Sequence, residues 1–295
     1  MPRAHANGIE IEYETFGDPS KPAILLVMGL GIQMLGWQEA FCQMLVDRGY
    51  FVIRFDNRDV GLSSKIEDGP EPNVMQLMAG DYSSASYVLS DMANDAVGLL
   101  DALDIEKAHV VGVSMGGMIA QTMAIEHPGR VLSLTSIMST TGNQAVGQPR
   151  PDVLMALVTP APDDRDGFVD FQAKMFKLIG SPEYPLDEGI LRELIGRSYD
   201  RMHYPAGFMR QLTGVLASGD RTAALASVNV PTTVIHGEAD PLIAISGGEA
   251  TAAAIPGAKL VRVPGMGHDL PPLLWQRFVD EIVANAERAT AATTG

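Results

Sequence analysis

The chain has 295 residues, 46% of them hydrophobic, and a formal net charge of −15 at pH 7. A chain of this size can bury one large core, and its acidic charge argues against nucleic acids and anionic membrane surfaces as partners, because both would repel it. Because the net charge is acidic, the expected partner is a neutral or apolar small molecule. Cys42 is the single cysteine, so no internal disulfide can form.

The N-terminal part of the chain predicts strands with one helical crossover. Residues 8–16 alternate hydrophobic residues with glutamates, which predicts an antiparallel edge strand with one wet face. Residues 23–27 and 51–55 are short hydrophobic runs typical of central parallel strands. Residues 37–48 between them predict a helix that ends at Gly49.

The same region is expected to carry neither an export signal nor a membrane span. Residues 1–13 lack the basic start and the apolar run of a signal peptide. The longest apolar stretch, residues 23–32, is interrupted by glycines and is too short to span a bilayer. A cytoplasmic protein without membrane association is expected.

A predicted helix at residues 86–103 precedes the most informative segment of the chain. The β-branched run at residues 108–111 leads into GVSMG at residues 112–116, and helix-forming residues follow. A G-x-S-x-G between a strand and a helix is typical of a nucleophile elbow, whose glycines make room for a sharp, strained turn. Ser114 is therefore the predicted nucleophile, and the backbone N–H of Met115 is a predicted oxyanion donor.

After a predicted strand at residues 131–138, the alternation of strands and helices stops. Between residues 140 and 227, repeated prolines divide the chain into short helices, which predicts a helical cap over the active site. The predicted organisation is a first core part at residues 1–139, the cap at residues 140–227 and a second core part at residues 228–295.

Candidate pocket-lining side chains are aromatic or are flexible and apolar, properties that suit irregular ligands. In the cap they are Met155, Phe176, Met202, Tyr204, Phe208 and Leu212, and in the core Trp37 and Met138. For each cap residue taken singly, packing between cap and core is at least as good an interpretation. Trp37 is expected to pack against the loop after the first central strand.

A serine nucleophile needs a base and an acid that orients the base. The predicted strand at residues 230–237 leads into a loop with Asp240, and the predicted strand at residues 259–263 leads into a loop with His268. Asp240 is the predicted acid and His268 the predicted base. Glu238 is an alternative acid, although it lies closer to the end of its strand.

The remaining histidines predict no metal site. His236 ends a strand next to a glycine, where packing or hydrogen bonding is the usual role of a histidine. The others are His5, His109, His127 and His203, and they show no metal-ligand spacing. No metal and no cofactor is expected.

The motifs follow one another in a characteristic order. They are VMGLG at residues 27–31, LGW at 35–37, RFDNRDVGLS at 54–63, GVSMG at 112–116, HGEADP at 236–241 and PGMGH at 264–268. With these motifs, and with the order serine, aspartate, histidine, the chain resembles the α/β-hydrolase superfamily over nearly its full length. Within it the chain is most similar to the aclacinomycin methylesterases and related carboxylesterases.

The resemblance implies a fold and a second oxyanion donor. The fold is α/β, with a mostly parallel central sheet flanked by helices and an inserted helical cap. Matched position by position, the motif at residues 27–31 makes the Leu30 N–H the second donor. The same match places Met28 where many relatives carry a histidine.

Three functions fit these residues. The first is hydrolysis of carboxylic esters of small to medium or bulky apolar acids, in which Ser114 attacks the carbonyl, His268 transfers protons and Asp240 orients His268. The second uses the same residues on another bond, as in carbon–carbon bond hydrolases or cofactor-free perhydrolases. The third is a non-catalytic ligand-binding module. Dehalogenase and epoxide hydrolase chemistry is disfavoured, because it needs a carboxylate where Ser114 stands.

Overall fold

The computed structural model describes residues 2–293. In this part of the chain, eight strands form one sheet in the order β1-β2-β4-β3-β5-β6-β7-β8. The strands are β1 Arg3–Ala6, β2 Ile9–Phe16, β3 Ala23–Val27, β4 Phe51–Phe55, β5 Ala108–Val113, β6 Val131–Ile137, β7 Thr232–Gly237 and β8 Lys259–Val263. β2 pairs antiparallel with β1 and β4, and the other pairs are parallel. The predicted mostly parallel sheet is confirmed.

The antiparallel end of the sheet differs from the prediction. β2 is not the edge strand expected at residues 8–16, because β1 pairs along its outer side. Glu12 in β2 is buried rather than wet, and its carboxylate accepts a hydrogen bond from Arg3 Nε at 3.0 Å. The partner that compensates the Glu12 charge lies on β1, so the alternation within β2 alone does not reveal this burial.

Helices cover both faces of the sheet. They are α1 Glu39–Asp47, α2 Val74–Met78, α3 Leu89–Ala102, α4 Met115–Glu126, α5 Pro151–Leu157, α6 Arg165–Ile179, α7 Glu188–Arg201, α8 Pro205–Ala217, α9 Thr222–Leu225, α10 Ile245–Ala254 and α11 Trp275–Thr293. α3 and α4 pack on one face, and α1 and α11 on the other. The central strands are therefore buried on both faces, which explains their continuous hydrophobic runs. None of the helices within residues 2–293 combines the length and the hydrophobicity that a membrane-spanning segment requires.

The helices α5 to α9 lie between β6 and β7 in the chain. We call residues 151–225 the inserted helical segment. Near its end the segment contacts the chain that leads into it, because the Arg221 N–H donates to Thr141 O at 2.8 Å and Arg221 Nη2 donates to Thr140 O at 3.1 Å.

The turn between β5 and α4 brings backbone segments very close together. A Cβ atom on Gly112 would lie 2.0 Å from Gly116 O, and a Cβ atom on Gly116 would lie 2.1 Å from Val27 O. Both distances are far below van der Waals contact, and both facing atoms are backbone atoms that cannot rotate away. Glycine at both positions is what lets α4 pack against β3 and β5.

Gly116→Ala is expected to lower the free energy of unfolding by about 3 kcal/mol or more, because the end of β3 must move to admit the methyl group. Urea unfolding measures the change. Gly129→Ala is the matched control, since no atom of the described residues lies within 4 Å of its added Cβ, and it should stay within about 1 kcal/mol of the wild type. Equal unfolding free energies for the two variants would contradict this packing.

Candidate active site

Ser114 is the single residue between β5 and α4, and its backbone has φ 53° and ψ −120°. A positive φ is strained for a residue that carries a Cβ atom. The Ser114 N–H donates to Ile137 O at 2.9 Å, and the Ser114 carbonyl accepts from Ser139 Oγ at 2.8 Å and from the Gly117 N–H at 2.9 Å. The structure thus places the predicted nucleophile on a firmly held turn at the carboxyl end of β5, partly exposed.

The loops after β7 and β8 bring Asp240 and His268 together. His268 Nδ1 lies 2.7 Å from Asp240 Oδ2, and both side chains are buried. The other carboxylate oxygen, Asp240 Oδ1, accepts from the N–H groups of Leu242 and Ile243, both at 2.9 Å. Because an ionised carboxylate can only accept, Nδ1 carries the proton of the bond to Asp240, and Nε2 is left as the basic nitrogen of His268.

Glu238 and His236 lie beside this pair but take different positions. Glu238 is exposed, so Asp240 is the carboxylate that the structure joins to His268. His236 is fully buried, and its Nε2 lies 2.8 Å from Ile243 O and 3.6 Å from Asp240 Oδ2. Burial lowers the pKa of His236, so a neutral imidazole holds the loop that carries Asp240.

The turn after β3 lies against Ser114. A Cβ atom on Gly29 would lie 3.3 Å from Ser114 Cβ and 3.9 Å from Ser114 Oγ. Leu30 follows Gly29 in this turn, and Met115 follows Ser114 at the start of α4. Within residues 2–293, neither the Leu30 N–H nor the Met115 N–H donates to a protein acceptor. The two predicted oxyanion donors therefore lie in turns next to the predicted nucleophile.

Met28 directly follows β3 and begins the turn that carries Leu30. It is buried, and a Cβ atom on Gly36 would lie 2.6 Å from Met28 Cε. Met28 O accepts a hydrogen bond from Asn57 Nδ2 at 3.0 Å. Thioether packing and a bond from the loop after β4 thus hold this backbone without an imidazole.

Two predicted pocket residues lie at the carboxyl ends of the strands. Phe208 on α8 lies directly on the turn after β3, because a Cβ atom on Gly31 would lie 2.6 Å from Phe208 Cδ2. Met138 follows β6, is buried and has φ 43°. Its N–H donates to Ile235 O at 2.8 Å.

The other predicted pocket residues take varied positions. Trp37 is fully buried and packs on Phe41, with ring centroids 5.3 Å apart, so it supports the core and offers no surface to a ligand. Met155 and Met202 are 62% and 37% exposed. Phe176 packs inside the inserted helical segment, the Tyr204 hydroxyl accepts from Arg210 Nη1 at 2.7 Å, and Leu212 is half-buried.

A buried ion pair that sequence reasoning missed joins α7 to the core. Arg201 Nη1 lies 2.6 Å from Asp56 Oδ2 and donates to Gln33 Oε1 at 2.8 Å. Asp56 is fully buried and also accepts from the N–H groups of Met34 and Leu62, both at 2.8 Å. Because Arg201 lies 145 positions from Asp56, no local pattern pairs them.

A second contact that sequence reasoning missed holds the loop after β8, which carries His268 and which we call the histidine loop. The His268 N–H donates to Ile179 O at 2.7 Å, and the Gly267 N–H donates to Ser181 Oγ at 2.9 Å. The Ser181 hydroxyl donates in turn to Asp269 Oδ1. Burial raises the pKa of Asp269, and the Ser181 hydrogen bond opposes that rise. The carboxylate of Asp269 is therefore occupied by Ser181 and ties the histidine loop to the end of α6.

Ser181→Ala is expected to lower the free energy of unfolding by about 1 to 3 kcal/mol, because a buried N–H loses its acceptor and a buried carboxyl loses its donor. Urea unfolding again measures the difference. Ser227→Ala removes an exposed hydroxyl and should change the free energy by no more than about 0.5 kcal/mol. A Ser181 variant as stable as the Ser227 variant would show that the hydrogen bonds of Ser181 do not stabilise the fold.

The described residues contain no group of three or more histidine, cysteine, aspartate or glutamate side chains placed to hold a metal ion.

Acyl transfer can use the arrangement found here, which is a strained serine turn, a histidine with a basic Nε2 and a carboxylate on its Nδ1.

The chain is similar in sequence or in fold to several known proteins. A rhodomycin D methylesterase of Streptomyces sp. (strain C5) is 29% identical, over 94% of this chain and 95% of its own. The 3-oxoadipate enol-lactonase 1 of Acinetobacter baylyi is 27% identical, over 82% of this chain and 80% of its own. The crystal structure of an enol-lactonase from Burkholderia xenovorans LB400 shares the fold, with a TM-score of 0.74 and 22% identity over 96% of this chain and 99% of its own.

The family match covers most of the sequence. Residues 22–272 match the family described as alpha/beta hydrolase fold. This stretch runs from the start of β3 through the histidine loop, and so includes Ser114, Asp240 and His268. The resemblance seen in the sequence is confirmed, and the chain belongs to the α/β-hydrolase fold family.

Proposed function

We propose that this chain is a serine hydrolase that cleaves carboxylic esters through an acyl-enzyme on Ser114. The observation that carries the proposal is the 2.7 Å hydrogen bond between His268 Nδ1 and Asp240 Oδ2. It fixes the imidazole tautomer whose Nε2 can take a proton, which is the tautomer a serine nucleophile requires. His268 is the proposed base and Asp240 the proposed orienting acid.

The proposed reaction has two halves. In the first, Ser114 Oγ attacks the ester carbonyl while its proton passes to His268 Nε2, and His268 returns that proton to the leaving alcohol. In the second, water attacks the acyl-enzyme with His268 again as base, and the acid leaves as Ser114 regains its proton. Asp240 stays ionised throughout and stabilises the imidazolium that forms in each half.

The negative oxygen that forms during each attack needs preorganised donors. Met115 is the first residue of α4, and the helix dipole favours negative charge next to its N–H. The Leu30 N–H lies in the turn packed against Ser114. We assign these two groups as the oxyanion hole, because neither donates to a protein acceptor within residues 2–293.

The ester bond is favoured over other bonds by the named relatives. One relative is named for a methyl ester and another for an enol lactone, and both names denote hydrolysis of a carboxylic ester. For this chain we propose esters of small to medium or bulky apolar acids, with residues 140–227 as the cap that meets them. Phe208, which lies on the turn of the oxyanion hole, is the proposed ceiling of the site.

The same residues could act on a carbon–carbon bond or form a peracid, and a non-catalytic module could keep the same scaffold. No contact among the described residues favours these functions over ester hydrolysis. Turnover of acyl esters of graded size separates the enzymatic proposals from a binding module.

Ser114→Ala is expected to keep the fold and to lower kcat/KM for a p-nitrophenyl ester by about 10⁴-fold or more, because the nucleophile is lost. Steady-state kinetics and circular dichroism measure the two properties. Ser227→Ala, which changes an exposed serine, should keep full activity. Retained turnover in the Ser114 variant would rule out the proposed nucleophile.

Asp240→Asn is expected to lower kcat by about 10⁴-fold, because an amide donating to Nδ1 favours the tautomer whose Nε2 carries a proton. Glu238→Gln is the matched control on the same loop. Since Glu238 is exposed, its variant should stay within about twofold of wild type. If Glu238→Gln were the more damaging change, the acid would have to be reassigned.

A further inference from the structure

Gln211 on α8 is fully buried, and its amide bridges two loops of the core. Gln211 Oε1 accepts from the Gly31 N–H at 2.8 Å, in the turn after β3. Gln211 Nε2 donates to Arg58 O at 2.7 Å, in the loop after β4. Both bonds go to main-chain atoms, so they fix the backbone of these loops and not a side chain that can rotate.

The bond to Gly31 decides which amides of the turn are occupied. The Ile32 N–H donates to Gly29 O at 3.3 Å, and the Gly31 N–H donates to Gln211. The Leu30 N–H, by contrast, has no protein acceptor among the residues that the structure describes. Because a peptide unit is planar, holding the Gly31 N–H also holds the Leu30 carbonyl and restricts the backbone around Leu30.

The packing of α8 leaves Gln211 little room to shift. A Cβ atom on Gly207 would lie 1.8 Å from Asp59 O, so the start of the helix touches the loop after β4. Phe208, three residues before Gln211 and therefore on the same helix face, lies on Gly31. Gly31 has φ 68°, a conformation that favours glycine.

We propose that Gln211 is a positioning residue for the oxyanion hole. It holds the Gly31 N–H and thereby keeps the Leu30 N–H in place for the carbonyl oxygen that becomes negative on attack by Ser114. This inference rests on the proposed function, since it matters only if Ser114 forms such an intermediate. A contact made to the oxyanion stabilises the transition state more than the bound ester.

Gln211→Met tests the proposal, because methionine keeps the length of the side chain and removes both hydrogen bonds. We expect kcat to fall by about 10- to 100-fold, somewhat less than for deletion of an oxyanion donor, while KM stays within about threefold. The inhibition constant of a trifluoromethyl ketone, which forms an oxyanion on the serine, should rise by the same factor as kcat falls.

Gln121→Met is the matched control. Gln121 is also a fully buried glutamine, but it lies on α4, where its Nε2 donates to Ser136 Oγ at 3.2 Å. It should leave kcat and the inhibition constant within about threefold of wild type. If Gln211→Met does not fold, Gln211→Asn takes its place, because its shorter amide cannot reach both Gly31 and Arg58, and the same changes are expected.

Two results would overturn the proposal for Gln211. One is a rise in KM with kcat unchanged, which would make Gln211 a substrate contact. The other is a ratio of the trifluoromethyl ketone inhibition constant to KM that is the same in the Gln211 variant as in wild type. A further measurement distinguishes failure of the Gln211 role from failure of the proposed function. Wild-type enzyme is treated with a fluorophosphonate, and mass spectrometry shows whether Ser114 is labelled. An unlabelled Ser114 in wild type would overturn both, whereas a labelled, active enzyme insensitive to Gln211 would overturn only the role of Gln211.

Discussion

The positive φ of Ser114 is the constraint on which the rest of the site depends. Such a backbone persists only where its surroundings leave it no alternative. Here Gly112 and Gly116 let β3, β5 and α4 approach to contact, and Ile137 and Ser139 bind the serine backbone from β6 and the residues after it. The strain is thus held by the sheet, and the inserted helical segment is not needed to create it.

The inserted helical segment instead acts on the loops around the serine. The end of α6 reaches the histidine loop through Ile179 and Ser181, α7 reaches Asp56 through Arg201, and α8 reaches the turn after β3 through Gln211. Each contact is a hydrogen bond between largely buried groups, so breaking one without admitting water costs about 1 to 3 kcal/mol. Fastened at three separate places, the segment is part of the frame of the site.

Local chemistry explains how much could be predicted from the sequence. The turns that carry Ser114, Asp240 and His268 each depend on a few consecutive residues, and buried parallel strands show as continuous hydrophobic runs. The partners of buried polar groups leave no such trace. Gln211 and Gly31 are 180 positions apart, and Ser181 and Asp269 are 88 apart. From the sequence of a helix alone, a glutamine that becomes buried cannot be distinguished from one that stays exposed.

The neck of the inserted helical segment has a consequence for how such enzymes diversify. At this neck the chain that leads into the segment touches residues near the end of the segment, since a Cβ atom on Gly142 would lie 2.2 Å from Gly219 O. From the side of the sheet, β6 and β7 are therefore joined as if by a short loop, and the entropy of closing that loop hardly depends on what lies beyond the neck. A segment of another length or shape can replace this one without changing the register of the strands. The inserted segment can then diverge in sequence and shape while the strained serine turn is inherited unchanged.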